Sequence, residues 1–146
     1  HEEADESFYT LVGRTRSRDF LYVLLISTEA SETRILEADT PTGEFRVFLP
    51  REREHLYFAD HLRDRWIVRT NWQAPNFRLM SVPQGHESDR SRWMDVVPHD
   101  PEVFIEDVQV FDSFMAIGER SEGLARVRIL PWSGEPFHVP VDEEAS

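Results

Sequence analysis

Hydrophobic and polar residues alternate along most of the chain, in short runs separated by turn residues. The run RWIVRT at residues 65–70 is typical, because β-branched and aromatic side chains recur there with a period of two. The bounding segments TPTGE, HDPE, RSEG and WSGEP carry the Gly, Pro, Asp and Ser residues that tight turns use. Nine prolines leave little room for a long helix. The pattern predicts an all-β protein.

Twelve strands are predicted, and they fall into three groups of four. The strands cover Phe8–Val12, Phe20–Ser27, Thr33–Ala38, Phe45–Leu49, His55–Asp60, Arg65–Thr70, Phe77–Val82, Arg92–Val97, Val103–Phe111, Phe114–Glu119, Ala125–Leu130 and Phe137–Val139. Each group ends on a similar phrase, namely FRVFLPRERE, RWMDVVPHDPE or FHVPVDEE. The prolines of these phrases, Pro50, Pro98 and Pro140, are 48 and 42 residues apart.

A four-stranded unit that repeats about every 40 to 50 residues is the pattern of a β-propeller blade. The sequence therefore predicts one partial β-propeller domain over residues 1–146, made of three consecutive four-stranded antiparallel blades. Their ranges are about 1–50, 51–98 and 99–146, and the first strand of each blade is expected nearest the pseudo-axis. A β-sandwich or jelly roll, which also contains many short strands, is the alternative architecture.

The composition argues against several classes of protein. With 40% hydrophobic residues the chain can build a core, and no apolar run approaches the roughly 18 residues that span a bilayer. The formal net charge of −12 disfavours nucleic-acid binding, which needs a basic face. Cysteine is absent, so no disulfide, thiol nucleophile or zinc-thiolate site is expected. The acidic start HEEADES does not resemble a signal peptide. We expect a cytoplasmic protein, with a periplasmic location left open.

Catalytic and metal-binding motifs are not found in the sequence. The Gly-x-Ser-x-Gly motif of α/β-hydrolases is missing, and its nearest echo, PWSGEP (131–136), is interpreted as a hairpin turn. The cluster HLYFADHLRD (55–64) holds two His and two Asp, but its spacing matches no known ligand pattern. We predict no catalytic residue, no cofactor and no metal site.

Two acidic residues interrupt the apolar run VFIEDVQVF. Glu106 and Asp107 at this place predict either a β-bulge or a stretch that faces the propeller tunnel, where carboxylates would suit the passage of basic peptides. A solvated surface is the alternative. A second segment, TNWQAPNFRLM, is predicted to be a hairpin loop shaped by Asn71, Pro75 and Asn76, since Asn accepts left-handed dihedral angles and bonds nearby backbone groups.

The same loop carries a family resemblance. The phrase WIVRTNWQAPNFRLMSV (66–82) resembles a segment of the propeller domain of the prolyl oligopeptidase family. The stretches 2–27, 31–50, 45–71 and 119–130 are similar to the same domain, most of all to its oligopeptidase B branch. The resemblance therefore covers essentially the whole chain. Trp72 departs from the pattern, because family members usually carry Arg there, and this puts any Arg-dependent contact of the loop in doubt.

The resemblance implies a serine peptidase of two domains. A seven-bladed propeller covers an α/β-hydrolase domain that holds the Ser, Asp and His, and limits entry to short peptides. Oligopeptidase B cleaves after Arg and Lys. This chain would then be roughly blades four to six, with the hydrolase domain and short basic peptides as its partners. The loop STEASET (27–33) would reach the active-site side, offering Thr28, Glu29 and Glu32 to the substrate or the hydrolase domain.

Three functions remain open from the sequence. The first is a non-catalytic gating segment of an oligopeptidase, the second a stand-alone β-rich module that binds a protein or peptide, and the third an enzyme with acid–base carboxylates. A partial propeller also leaves two blade faces uncovered. We expect these faces to carry Tyr22, Leu24, Val127 and Ile129 and to favour a homodimer.

Overall fold

Residues 8–142 are described by the computed structural model, and they form twelve strands. The strands are β1 (Tyr9–Arg14), β2 (Phe20–Ile26), β3 (Ser31–Glu37), β4 (Arg46–Val47), β5 (Tyr57–Leu62), β6 (Arg65–Thr70), β7 (Arg78–Pro83), β8 (Met94–Val97), β9 (Phe104–Val110), β10 (Phe114–Ser121), β11 (Leu124–Pro131) and β12 (Phe137–Pro140). A single 3₁₀ turn, Arg90–Arg92, precedes β8 within the described part of the chain. Parts of the predicted first and third blades, 1–7 and 143–146, lie outside the described residues.

The strands build three antiparallel four-stranded sheets, each in chain order, which confirms the predicted fold class. We call them blade 1 (β1–β4), blade 2 (β5–β8) and blade 3 (β9–β12). No strand crosses from one sheet to another. No helix between residues 8 and 142 is long and apolar enough to cross a bilayer.

The first interface lies between blades 1 and 2 and is rich in aromatic side chains. Trp66 and Val68 point from β6 toward blade 1, because alternate residues of a strand face the same side. The buried members of this interface are Phe20, Ile35, Phe48, Leu49, Tyr57, Trp66, Val68, Met80, Val82 and Trp93.

The second interface lies between blades 2 and 3 and is mainly aliphatic. Ile67 follows Trp66 in β6 and therefore points the other way, toward blade 3. The buried members are Leu62, Ile67, Phe77, Leu79, Val97, Ile105, Val110, Met115 and Ile117. Blade 2 is thus buried on both faces, and the core of the molecule consists of these two interfaces.

Tyr22 and Leu24 were expected on the uncovered face of blade 1, but they lie on the face that meets blade 2. Tyr22 packs against the first interface, and its ring occupies the space above Gly13, where a Cβ atom would collide with it. Leu24 has the same parity as Tyr22 in β2 and lines the cavity described below. The sequence pattern showed the alternation of β2 but not which of its two sides meets blade 2.

The uncovered face of blade 3 agrees with the expectation. Val127 and Ile129 alternate in β11 with Arg126 and Arg128, which turn toward Glu119 on the blade 2 side. Val127 and Ile129 therefore point away from blade 2. No second copy of the chain is present, so the homodimer stays a prediction.

Candidate functional site: the inner wall

One cavity of about 1040 Å³ is lined by the first strands of all three blades. β1, β5 and β9 converge on it, together with the turns that follow them. We call this surface the inner wall. Its charged residues are Arg14, Arg16, Arg18, Asp19, Asp60, Arg63, Arg69, Asp107 and Asp112. Arginine and aspartate are nearly balanced here, so the wall is not the acidic surface that basic peptides would favour.

The turn between β1 and β2 docks blade 1 on the inner strand of blade 2. The Arg16 amide donates to Asp60 Oδ1 at 2.8 Å, and the Ser17 amide donates to the His61 carbonyl at 2.9 Å. Ser17 Oγ lies 2.7 Å from His61 Nδ1, while His61 Nε2 lies 2.7 Å from Gln84 Oε1. Burial raises the pKa of Asp60, and the two amide hydrogen bonds from Arg16 and His61 oppose that shift.

This contact contains Ser, His and Asp but does not have the geometry of a hydrolase triad. His61 is fully buried, packs edge-on against Phe20 and Trp66, and bonds the Gln84 amide with its second nitrogen rather than a carboxylate. A triad requires an acid that orients the imidazole and a serine open to substrate. Asp60 and His61 therefore hold the blades together. No group of three metal-binding side chains occurs within residues 8–142.

Arg16 also spans from blade 1 to blade 3. Its Nε lies 3.4 Å from Asp112 Oδ1, and its guanidinium stands 5.6 Å from the centre of the Phe111 ring. Arg63 of blade 2 reaches the same turn, donating to the Asp112 carbonyl at 3.0 Å. The turns after the three inner strands are thereby connected at one end of the wall.

Arg69 lies on the inner wall in a different setting. Its Cζ is 4.6 Å from the centre of the Phe58 ring and 5.0 Å from that of Phe77. Burial lowers the pKa of Arg69, and Asp107 partly opposes this. Among the described residues no acceptor bonds its guanidinium.

The Glu106–Asp107 pair does form a bulge, as the interrupted apolar run predicted. Asp107 is opposite Gly118 and Ile105 is opposite Glu119, so Glu106 is the extra residue of β9. Glu106 bonds Arg120 Nε at 3.0 Å and is not part of the inner wall. Asp107 is exposed and lines the cavity. Only one of the two carboxylates is therefore placed to meet a ligand there.

The loop that was expected at 27–33 is shorter. Thr28 and Glu29 are exposed in a turn closed by the Ser27 amide and the Ala30 carbonyl. The turn lies at the end of β2 remote from the β1–β2 turn, so the structure does not bring Thr28 and Glu29 to the inner wall.

Glu32 is not a free loop carboxylate. It lies in β3 and is 5% exposed, with its oxygens bonded to Arg34 Nε at 2.7 Å and the Arg51 amide at 3.0 Å. Burial raises the pKa of Glu32, but these hydrogen bonds outweigh burial and leave the pKa below its usual value. The strand begins two residues earlier than predicted, so Glu32 is a paired strand residue. Its contact with a substrate or with the hydrolase domain stays a prediction.

The two asparagines of the loop 71–77 act as connectors. Asn71 Oδ1 accepts from the Leu56 amide at 2.9 Å within blade 2, while Asn76 Nδ2 donates to the Pro101 carbonyl at 2.9 Å, where blade 3 begins. The left-handed positions are Gln73 and Phe77 rather than the asparagines. Pro75 sits within the second of two consecutive turns.

Trp72 does make contacts with arginine, although it replaces an arginine of the family pattern. The guanidinium groups of Arg78 and Arg90 lie 4.8 and 4.7 Å from the centre of its ring. Trp93 meets the same ring edge-on at 6.0 Å. Contacts between arginine and this loop therefore do occur. The loop supplies the aromatic ring of Trp72, and Arg78 and Arg90 supply the cations.

Sequence reasoning missed the buried acids Glu87 and Glu119. Glu87 belongs to the polar segment PQGHESDR, yet it is 3% exposed and accepts from Trp66 Nε1 at 2.9 Å and from the Gly85 amide at 2.8 Å. Arg46 adds an ion pair at 3.1 Å. Burial raises the pKa of Glu87, but the hydrogen bonds lower it more. The sequence offered one signal for this contact: Trp66 lies in a predicted strand, and its indole N–H, once buried, needs an acceptor such as Glu87.

The fold and the inner wall define a segment of a β-propeller, and comparison with known proteins identifies which kind. The family model "Prolyl oligopeptidase, N-terminal beta-propeller domain" matches residues 1–143, so the chain belongs to the prolyl oligopeptidase family. It is 41% identical over 146 residues, or 99% of this chain, to dipeptidyl aminopeptidase BI of Pseudoxanthomonas mexicana.

Solved structures agree. Oligopeptidase B from Trypanosoma brucei superposes with a TM-score of 0.81 at 27% identity, over 94% of this chain and 21% of that one. Oligopeptidase B from Leishmania major gives 0.80 at 22% identity, over 94% and 20%, which supports the fold alone. The chain spans about a fifth of the length of these relatives, as it spans 20% of the dipeptidyl aminopeptidase.

Proposed function

We propose that this segment forms part of a propeller channel that admits short peptides to, and excludes larger ones from, an α/β-hydrolase active site elsewhere in the same protein. The observation that carries the proposal is the convergence of three inner strands on one polar cavity. A wall built from rigid strands, tied together by Ser17, His61 and Arg16, is suited to exclude large substrates rather than to react with small ones.

For the whole protein, we propose a serine peptidase that cleaves short peptides after Arg or Lys. Support comes from the likeness to oligopeptidase B and from the family match. The balanced charges of the inner wall suggest that this segment does not select basic side chains. In the proposal, selection after Arg or Lys is the work of the hydrolase domain, and the propeller selects by size.

The gene sequence after Ser146 gives the first test. A downstream Gly-x-Ser-x-Gly motif followed by Asp and His supports the proposal. An open reading frame without these residues favours the stand-alone binding module instead.

A bulky substitution on the inner wall gives the second test, in the protein of natural length. Gln109 is exposed in β9 and lines the cavity, so Gln109→Trp should lower kcat/KM for hydrolysis of basic peptides, and more for ten-residue than for three-residue peptides. Glu135→Trp, in an exposed turn outside the wall, is the matched control and should leave both values unchanged. Equal rates for the two variants at every peptide length would contradict the gating function.

A further inference from the structure

The guanidinium of Arg69 lies in a cavity and has no hydrogen-bond acceptor among residues 8–142. Three other inner-wall arginines have acceptors: Arg14 Nε donates to the Arg18 carbonyl at 3.1 Å, and Arg16 and Arg63 both contact Asp112. The Arg18 side chain has no acceptor among the described residues either, but it is exposed to solvent, whereas Arg69 is partly buried. The guanidinium of Arg69 is stacked on two aromatic rings, those of Phe58 and Phe77. Rings stabilise the charge but do not accept the five in-plane N–H groups of a guanidinium.

Asp107 is the nearest candidate for a structural partner, and it does not serve as one. It stands across the cleft on blade 3 and influences Arg69 electrostatically. No ion pair within 4.0 Å joins the two side chains, and Asp107 Oδ1 accepts instead from the Val108 amide at 2.9 Å. The cleft between blades 2 and 3 therefore keeps the donors of Arg69 open toward the cavity.

The rings also fix the orientation of this cation. Phe58 is the direct cross-strand neighbour of Arg69 in β5, and Phe77 is 9% exposed and braced edge-on by Phe104 at 5.8 Å. A guanidinium held in place loses less conformational entropy when it binds, and its fork of donors matches a carboxylate in two parallel hydrogen bonds. Partial burial strengthens such a bond relative to one in bulk water.

We propose that Arg69 is a carboxylate-binding residue of the inner wall and that its ligand is a carboxylate of a short peptide in the channel. This rests on the proposed gating function, which brings peptides to the wall. The carboxylate can be the free C-terminus or an acidic side chain, and the chemistry at Arg69 is the same. A peptide with a basic cleavage site and a free C-terminus would then be positioned by its end, away from the reacting bond.

The test measures binding of three pentapeptides without Arg or Lys to the protein of natural length by isothermal titration calorimetry. One has a free C-terminus, one is amidated, and one is amidated but contains an internal Glu. We expect the free acid to bind about tenfold more tightly than the amide, as a charge-assisted hydrogen bond predicts. Tight binding of the third peptide as well would show that an acidic side chain serves equally, and weak binding would identify the C-terminus as the source.

The variants decide whether Arg69 is responsible. Arg69→Gln should abolish the difference between acid and amide, and Arg69→Lys should retain part of it, since a point charge remains without the fork. Arg18→Gln is the matched control, because Arg18 lines the same cavity and its loss changes the charge equally. Thermal unfolding of each variant establishes that it is folded.

Two results would overturn the inference: equal affinity for acid and amide in the unsubstituted protein, or a preference that survives in Arg69→Gln. Neither result bears on the size effect of Gln109→Trp, so a failure of the carboxylate site and a failure of gating are distinguishable.

Discussion

The two faces of blade 2 bury similar numbers of side chains but hold their neighbours in different ways. The first interface combines aromatic rings with directed hydrogen bonds, whereas the second consists mainly of Leu, Ile, Val and Met. Rings and hydrogen bonds have preferred geometries, while aliphatic contacts depend chiefly on the area removed from water. The comparison indicates that blades 1 and 2 form the more firmly defined unit.

Trp66 is at the centre of the first interface. Its ring contacts Phe20 at 4.9 Å and Phe48 at 5.0 Å between ring centres, and its indole donates to the buried Glu87. Tyr57 ties the same two blades by its hydroxyl, which donates to the Leu49 carbonyl at 2.6 Å and accepts from two amides of blade 1.

The second interface has fewer polar connections. Ile67, Leu79 and Ile105 make only apolar side-chain contacts in this interface. The hydrogen bonds to the start of blade 3 come from the loop residue Asn76. The cleft that holds Arg69 opens on this side. An interface of this kind can repack at lower cost, which suits the side of the blade where we propose that ligands bind.

The largest expected effect on the free energy of unfolding comes from Trp66 and Ile67, neighbouring residues of β6 that face the two different interfaces. Trp66→Ala should lower the free energy of unfolding by about 4 to 5 kcal/mol, because it empties a large site and removes one of the hydrogen-bond donors of the buried Glu87. Ile67→Ala, which faces the second interface, should cost about 2 to 4 kcal/mol. Urea unfolding followed by circular dichroism measures both. A greater loss for Ile67→Ala would reverse the ranking of the two interfaces.

Much of this arrangement could be predicted from the sequence, because the strands follow from local alternation. Twelve strands in three groups of four are present, although bounds such as those of β3 and β4 differ from the predicted ones. The bulge at Glu106 was one of the alternatives that the sequence left open. What alternation cannot show is which side of a strand meets the next blade, and Tyr22 and Leu24 were misplaced for that reason. The settings of Glu32, Glu87 and Arg69 depend on residues distant in sequence whose meeting only the fold creates.

The second-largest effect is expected from acid, which should lower the free energy of unfolding by protonating His55 beside the first interface. His55 is 4% exposed beside Tyr57, and burial, aided by the charge of Arg90, lowers its pKa from 6.5 to about 4. Its Nδ1 has no hydrogen-bond partner among the described residues, so a proton added there would be unsatisfied. The unfolded chain therefore binds a proton that the folded chain does not between these two pKa values, and stability falls as the pH drops through this window.

The expected loss reaches about 3 kcal/mol at pH 4, with a slope near 1.4 kcal/mol per pH unit below pH 6. His55→Gln preserves a polar partner for Thr70 but cannot titrate, so its unfolding free energy should be less steep over this range. Parallel curves for the two proteins between pH 6.5 and 4.5 would show that His55 is not the cause. The pKa values of Glu32 and Glu87 are lowered in the folded chain, so these two carboxylates stabilise the fold at neutral pH. That stabilisation is lost as the pH falls below their ordinary value of 4.5.

Removing one hydroxyl should have a somewhat smaller effect. Tyr57→Phe leaves the Leu49 carbonyl and the Thr33 amide buried without their partner, which should cost about 2 to 3 kcal/mol. Burial raises the pKa of Tyr57 to about 12, so the hydroxyl donates at every ordinary pH. Tyr22→Phe is the matched control at the same interface, because no hydrogen bond of the Tyr22 hydroxyl occurs among the described residues. Equal denaturation midpoints for the two variants would contradict the role of Tyr57.

The smallest effect is expected at the second interface and should be local. Asn76→Ala removes the bond to the Pro101 carbonyl and a longer one of 3.4 Å to the Asp100 carbonyl, at a cost of about 1 kcal/mol. Asn71→Ala removes bonds that stay within blade 2 and serves as the control. Hydrogen exchange should therefore accelerate in β9 after Asn76→Ala, but not after Asn71→Ala, while the amides of β3 and β6 keep their protection in both. Because the Ile105 amide donates to the Asn76 carbonyl, exchange at Ile105 is the most sensitive reporter. If β3 and β9 lost protection together, the blades would unfold as one unit, and the difference between the two interfaces would have no consequence for the dynamics of the segment.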